Sequence, residues 1–156
     1  MKYYNYDVVF QEIPNETTLA INISGCPCHC LGCHSPFLWE DSGTELNEDE
    51  LIRILHPVVE DITCVCFMGG DADPAYINHL AEYTRKQYPF LKVGWYSGRD
   101  TIKDCIDLKN FNYIKVGPYI KELGGLGSRI TNQRMYKIHH LHSLNRIMDM
   151  TKEFQK

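Results

Sequence analysis

The stretch Ile23–Ser35, ISGCPCHCLGCHS, places four cysteines, Cys26, Cys28, Cys30 and Cys33, within eight residues. The β-branched, apolar run before it, TTLAINI from Thr17 to Ile23, reads as a strand, so the cysteines occupy a loop hung from that strand's C-terminal end. The chain holds seven cysteines in all, and an odd number in a mid-sized chain fits a disulfide framework poorly. The first twenty residues, MKYYNYDVVFQEIPNETTLA, lack the basic, apolar and small-residue segments of a secretory signal. A reducing cytoplasmic setting is therefore expected, and metal binding becomes the leading explanation of the cluster.

The rest of the composition narrows the class. At 156 residues, with 44% hydrophobic and 23% charged residues and no repeat or low-complexity tract, the chain reads as one soluble globular domain spanning 1–156, large enough to bury a sizeable core without staples. A net charge of −4 with scattered Lys and Arg gives no electrostatic reason to expect nucleic acid or an anionic membrane as a partner, and no apolar run approaches a membrane span.

Downstream, strand and helix signals alternate. Asn47 caps an expected helix, with Glu50 three positions on completing a capping-box-like pair and Leu51, Leu55 and Val58 at helical spacing. TCVCFM, Thr63 to Met68, reads as a strand buried on both faces, and it ends in Gly69-Gly70. Asp73-Pro74 opens a second helix with Ile77, Leu80, Ala81, Thr84 and Tyr88 on one face, ending near Pro89. KVGWY, Lys92 to Tyr96, is a third strand; Asp100 caps an expected short helix with Ile102, Cys105 and Ile106; Tyr113 to Val116 is a fourth strand. Gly117 to Arg134 is glycine-rich and reads as a long loop, and Leu141, Leu144 and Met148 suggest a final helix. The alternation predicts an α/β fold with a parallel sheet, whose strand ends gather the cysteine loop, Gly69-Gly70-Asp71 and Ser97-Gly98 on one rim.

Setting Cys28 aside leaves Cys26-x-x-x-Cys30-x-x-Cys33. Three thiolates do not close a tetrahedral zinc site, whereas a [4Fe-4S] cluster held by three cysteines keeps one iron open. With Gly69-Gly70-Asp71 downstream, this spacing resembles the signature of the radical S-adenosylmethionine (radical SAM) superfamily. Trp95-Tyr96-Ser97-Gly98, the shortness of the chain and GSRITNQR from Gly127 to Arg134 are similar, within that superfamily, to the activating proteins of anaerobic ribonucleoside-triphosphate reductases. Three features depart from the pattern: Asp71 stands where the family has glutamate, Pro14-Asn15-Glu16-Thr17-Thr18 replaces a glycine- and arginine-rich lead-in, and Cys28 is an additional thiol.

The resemblance implies a compact partial (β/α) barrel of mostly parallel strands, with Cys26, Cys30 and Cys33 holding a [4Fe-4S] cluster whose fourth iron takes the amino and carboxylate groups of S-adenosylmethionine. Gly69 and Gly70 would let the backbone approach the methionine end of that cofactor, and Asp71 would accept from its amino group. It further implies an external reducing electron donor, reductive cleavage of S-adenosylmethionine to a 5′-deoxyadenosyl radical, and hydrogen abstraction from a glycine of the partner reductase. No acid–base dyad is required, so no catalytic side chain is assigned beyond the cluster and the cofactor. Ser97, Lys115, Ser128 and Asn132 are candidate cofactor contacts by their expected rim or loop positions, although each reads as well as a solvated polar residue.

The blander readings fall on the remaining groups. Cys64 and Cys66 alternate on a strand and read as core, as does Cys105 on its expected helix face. His139, His140 and His142 form no zinc pattern and read as a helix start or surface cluster, and His29 and His34 as loop residues flanking the ligands. The rival functions are another small radical SAM enzyme, an activase for a different glycyl-radical enzyme, and a zinc-binding interaction module without catalysis.

Overall fold

The structure, a computed structural model, describes residues 1–155. Eight strands form one sheet: β1 (Lys2–Val9), β2 (Thr18–Ile23), β3 (Thr44–Glu45), β4 (Cys64–Met68), β5 (Lys92–Tyr96), β6 (Tyr113–Val116), β7 (Arg134–Leu141) and β8 (Leu144–Asp149). Their spatial order is β3-β1-β2-β4-β5-β6-β7-β8. Two α-helices, α1 (Glu48–Leu55) and α2 (Pro74–Gln87), lie in the first two crossovers. Among the described residues no helix is long and apolar enough to cross a membrane.

The four strands expected from the sequence, β2, β4, β5 and β6, run parallel side by side. The α/β class stands and the expectation of mostly parallel strands is corrected: the other four pairings, β1·β2, β1·β3, β6·β7 and β7·β8, are antiparallel, and the sheet, which does not close into a barrel, ends at β3 and β8. For β7·β8 the cause is connection length: a parallel return needs a crossover of a dozen or more residues, and the two residues between Leu141 and Leu144 permit only a hairpin.

That hairpin also replaces the expected final helix. Leu141 and Leu144 face each other across the turn, and His142 takes φ 56, the left-handed conformation such a turn demands. The helix expected after Asp100 is absent as well, and Cys105 is exposed instead of facing the core. Residues 98–112 make turns and one 3-10 turn, Leu108–Asn110, in which the Asp107 side chain accepts from the Lys109 amide, a local bond that competes with helix propagation. β1 carries no expectation from the sequence, although its Tyr3 is buried and its aromatic and β-branched content suits a strand.

The caps of the two helices are as read. Asn47 Oδ1 accepts from the Glu50 amide at 2.9 Å, but the Glu50 carboxylate binds Arg53 and Tyr3, so only half of a capping box forms. Asp73 accepts from the Tyr76 amide, with Pro74 in the first turn. Leu51, Ile54, Leu55, Ile77, Leu80 and Ala81 then bury against Leu19, Ile21, Val65, Phe67, Val93, Trp95 and Ile114 on one face of the sheet. Full burial of a side chain such as Phe67 contributes about 1.5–3 kcal/mol. The second face has no helix: Ile13, Met135 and Met150, with Leu126 and Phe154, cover Cys64 and Cys66, both buried as expected of core thiols.

The consequence for function is positional. The parallel strands β2, β4, β5 and β6 end at Ile23, Met68, Tyr96 and Val116, so the cysteine loop, Gly69-Gly70-Asp71, Ser97-Gly98 and Gly117 follow on a common rim.

Candidate metal centre

The cysteine loop is shaped by backbone bonds. The Gly25 and Cys26 amides donate to the Glu40 and Leu38 carbonyls at 3.0 and 2.9 Å, which straps the loop's first residues to the Pro36–Trp39 turn. The Cys33 amide donates to the Cys30 carbonyl at 3.0 Å with Gly32 at φ 78, a type II turn that needs glycine at its third position. Cys30 and Cys33 therefore bracket one tight turn. The Ser35 amide donates to Cys33 Sγ at 3.4 Å. His34 meets the Tyr119 ring edge-on at 5.1 Å and His29 stacks on Trp39 at 4.8 Å, so both flanking histidines pack on aromatic rings. All four loop cysteines are free and half-buried.

Behind the loop, Gly69 and Gly70 take φ 106 and 94, conformations that L side chains rarely adopt. They turn the chain from β4 into α2 and aim Asp71 inward. Its carboxylate is buried and engaged through both oxygens: Oδ1 accepts from Ser97 Oγ at 2.5 Å, and Oδ2 accepts from the Gly98 amide at 2.8 Å and from the Cys28 thiol at 3.6 Å. Burial, then the Asp71 charge, then Cys26 push the Cys28 thiol up to about 12. Cys28 is thus a protonated donor to Asp71.

Lys115, on β6, is buried, and its ammonium donates to the carbonyls of Gly117 at 2.8 Å and Ser97 at 3.3 Å, leaving one of its three donors free. Burial lowers it to about 8, against the opposing pull of Asp71, Cys30, Cys28 and Cys26. Asn132 joins this side of the rim, since its amide donates to the Pro118 carbonyl at 3.0 Å and its own carbonyl lies 3.3 Å from where a side chain on Gly117 would begin. Ser128 does not: its hydroxyl accepts from the Ile130 amide and its carbonyl from Gln155, within the glycine-rich loop and the C-terminal segment. Cys26, Cys28, Asp71, Ser97, Gly98 and Lys115 thus form one electrostatic neighbourhood, with Cys30 beside it. A cavity of about 300 Å³ opens next to Gly70, lined by Lys2, Ser24, Gly25, Asp41 and Asp73 among others.

Two partners, Gln133 and Trp39, were not singled out in the sequence, and Gly98 was placed on the rim without its bond to Asp71. The Gly98 amide and the Gln133 side chain, which donates to the Gly117 carbonyl at 3.4 Å, act through folding of distant segments that no local pattern encodes. Trp39 was signalled only by its nearness to the cysteines. Its indole nitrogen is buried with no hydrogen-bond partner, as is Asn132 Oδ1.

The residues fit an iron–sulfur cluster. Thiolates are its ligands, and three of the four loop cysteines are free of any competing bond to a carboxylate. Among the described residues no three His, Cys, Asp or Glu side chains converge on a point where one ion would sit. Cluster cysteines bind separate irons and have no need to converge in that way. The orphaned polar atoms at Trp39 and Asn132 are groups that a bound cofactor would satisfy. The His139, His140 and His142 group lies on β7 and its hairpin turn, not at a helix start; His140 spans the Asn145 side chain and the Phe111 carbonyl, each at 2.8 Å.

The model of a family described as 4Fe-4S single cluster domain matches residues 17–117, a span that holds the three cysteines, the glycine pair, Asp71, Ser97 and Lys115. No curated protein and no solved structure gives a match to the chain.

Proposed function

From the chain's membership of the 4Fe-4S single cluster domain family, to which it belongs over residues 17–117, we propose that it is a radical SAM activase that generates the glycyl radical of an anaerobic ribonucleoside-triphosphate reductase. The observation that carries the reading is the shared rim: a three-cysteine loop faces, across the ends of parallel strands, a buried carboxylate and a buried ammonium with donor capacity left over.

Cys26, Cys30 and Cys33 would hold the cluster, with Cys28 protonated and bonded to Asp71. Such a cluster supplies, from an external reductant, the single electron that splits the sulfonium of S-adenosylmethionine into methionine and the 5′-deoxyadenosyl radical that takes a hydrogen atom from the partner's glycine.

The chain's own residues bind and orient. Asp71 is fixed by Ser97 and Gly98, and its remaining lone pairs suit the ammonium of the methionine moiety. The free donor of Lys115 suits that moiety's carboxylate, and Asn132 Oδ1, an acceptor with no partner, suits a donor on the nucleoside. Gly70, which precedes Asp71 in the chain, lines the neighbouring cavity. Asp71 is one methylene shorter than the glutamate usual in the superfamily, and its two anchoring bonds hold it in place from behind.

The test is anaerobic reconstitution with iron and sulfide, then electron paramagnetic resonance of the reduced protein with and without S-adenosylmethionine. A reduced [4Fe-4S] signal that changes on adding the cofactor, followed by a glycyl-radical doublet on mixing with the reductase, is expected. A cluster signal indifferent to S-adenosylmethionine would leave the iron–sulfur family standing and remove the activase. A colourless, zinc-loaded protein would remove both.

A further inference from the structure

We propose that Trp39 is a hydrogen-bond donor to a sulfur of the bound cluster and thereby sets its reduction potential. The proposal rests on the cluster and is independent of S-adenosylmethionine chemistry.

The indole N–H of Trp39 is buried, and no protein acceptor meets it. A buried donor without an acceptor opposes folding unless something absent from the polypeptide satisfies it. The chain's other tryptophan shows the ordinary outcome, its Nε1 donating to the Gly69 carbonyl at 2.8 Å. Trp39 is also fixed against the cysteine loop from three sides. The carbonyls of its two neighbours, Leu38 and Glu40, accept from the amides of Cys26 and Gly25. His29, one residue from Cys30, lies on its ring at 4.8 Å and 10°. His29 itself holds φ 45, a conformation unusual for a residue with a side chain, so the stack is maintained at some backbone cost. An immobile, unpaired donor wedged against a metal-ligand loop is placed to meet a cluster sulfide or a cysteinyl sulfur.

The chemical consequence has a definite sign. Reduction adds negative charge that is shared by the sulfurs, and a hydrogen bond to sulfur stabilises the reduced state more than the oxidised one. Trp39 therefore raises the potential, making the cluster easier to reduce.

The experiment compares reconstituted wild type with Trp39→Phe, which keeps an aromatic ring at the position facing His29 and removes the donor. The potential is read by redox titration monitored by electron paramagnetic resonance, and hydrogen bonds to the reduced cluster by electron–nuclear double resonance in H₂O and D₂O. A more negative potential in the variant, together with loss of one exchangeable-proton coupling, is expected. An unchanged potential with all couplings retained overturns the proposal. If the variant loads too little cluster to titrate, benzothienylalanine, an isostere with sulfur in place of the N–H, is introduced at position 39 by nonsense suppression and judged by the same two readouts. Failure of the wild type to assemble any cluster would overturn the iron–sulfur assignment, and this proposal with it.

Discussion

Cys28 and Cys30 stand two residues apart and have different work. The thiol of Cys28 is committed to Asp71 and held protonated, and Cys30 enters a type II turn that ends at Cys33. After anaerobic reconstitution, Cys30→Ala is expected to lose stable iron and acid-labile sulfide, whereas Cys28→Ala is expected to load as wild type, as measured by iron and sulfide per chain; equal losses would make Cys28 a ligand. The spacing of three cysteines was legible in the sequence because it is local, but the engagement of Cys28 was not, since Asp71 is 43 residues away. The same holds for the glycine pair. A Cβ on Gly70 would stand 2.5 Å from Ile77 Cδ1 at a backbone angle of φ 94. Gly70→Ala should therefore cost about 1–3 kcal/mol in urea denaturation of the cluster-free protein, through strain and a displaced α2. A smaller loss would mean that the glycine is there for a ligand alone.

At the scale of elements, the starts of the parallel strands are joined by one buried carboxylate. Glu16, just before β2, accepts from Thr63 Oγ1 and Tyr113 OH, each at 2.6 Å, and pairs with Lys92. Burial alone would raise its carboxyl, but the bonds from Lys92, Thr63 and Tyr113 outweigh burial and hold it below the usual value of 4.5. The folded state thus releases this proton more readily than the unfolded chain, so the stabilisation is present above about pH 4.5 and drains away as pH falls through the lowered value. Glu16→Gln should lose about 1–3 kcal/mol at pH 7 and show a flatter acid limb, read from urea midpoints between pH 7 and 3. Elements with local signals were legible, as the Asn47 and Asp73 caps and the four parallel strands show. The β7–β8 hairpin was not, because Leu141, Leu144 and Met148 satisfy helical spacing and the decisive feature is the left-handed His142 between them.

For the whole molecule, barrel closure is a property of strand pairing over long separations, and the sequence holds no local sign that β1 and β7 add antiparallel and leave the sheet open. The rim was legible all the same, since parallel neighbours place their carboxyl ends together whether or not the sheet closes. The open sheet has a second effect, on the face without helices. There the segment after β8, with Met150 and Phe154, and the loop carrying Ile13 are the lid over Cys64 and Cys66, neither of which is exposed to solvent. Five of the seven thiols are half-buried or exposed and two are sealed. In the cluster-free protein a small alkylating reagent should mark Cys26, Cys30, Cys33 and Cys105 quickly and Cys64 and Cys66 slowly, with Cys28 held back by its proton, and Met150→Ala should speed the Cys64 and Cys66 pair roughly tenfold or more as the cover loosens. Mass spectrometry over time would show it, and an unchanged slow phase would mean that Cys64 and Cys66 are reached only by global unfolding. The two core cysteines are therefore a built-in clock: the delay before they react records how often the molecule lifts its own tail.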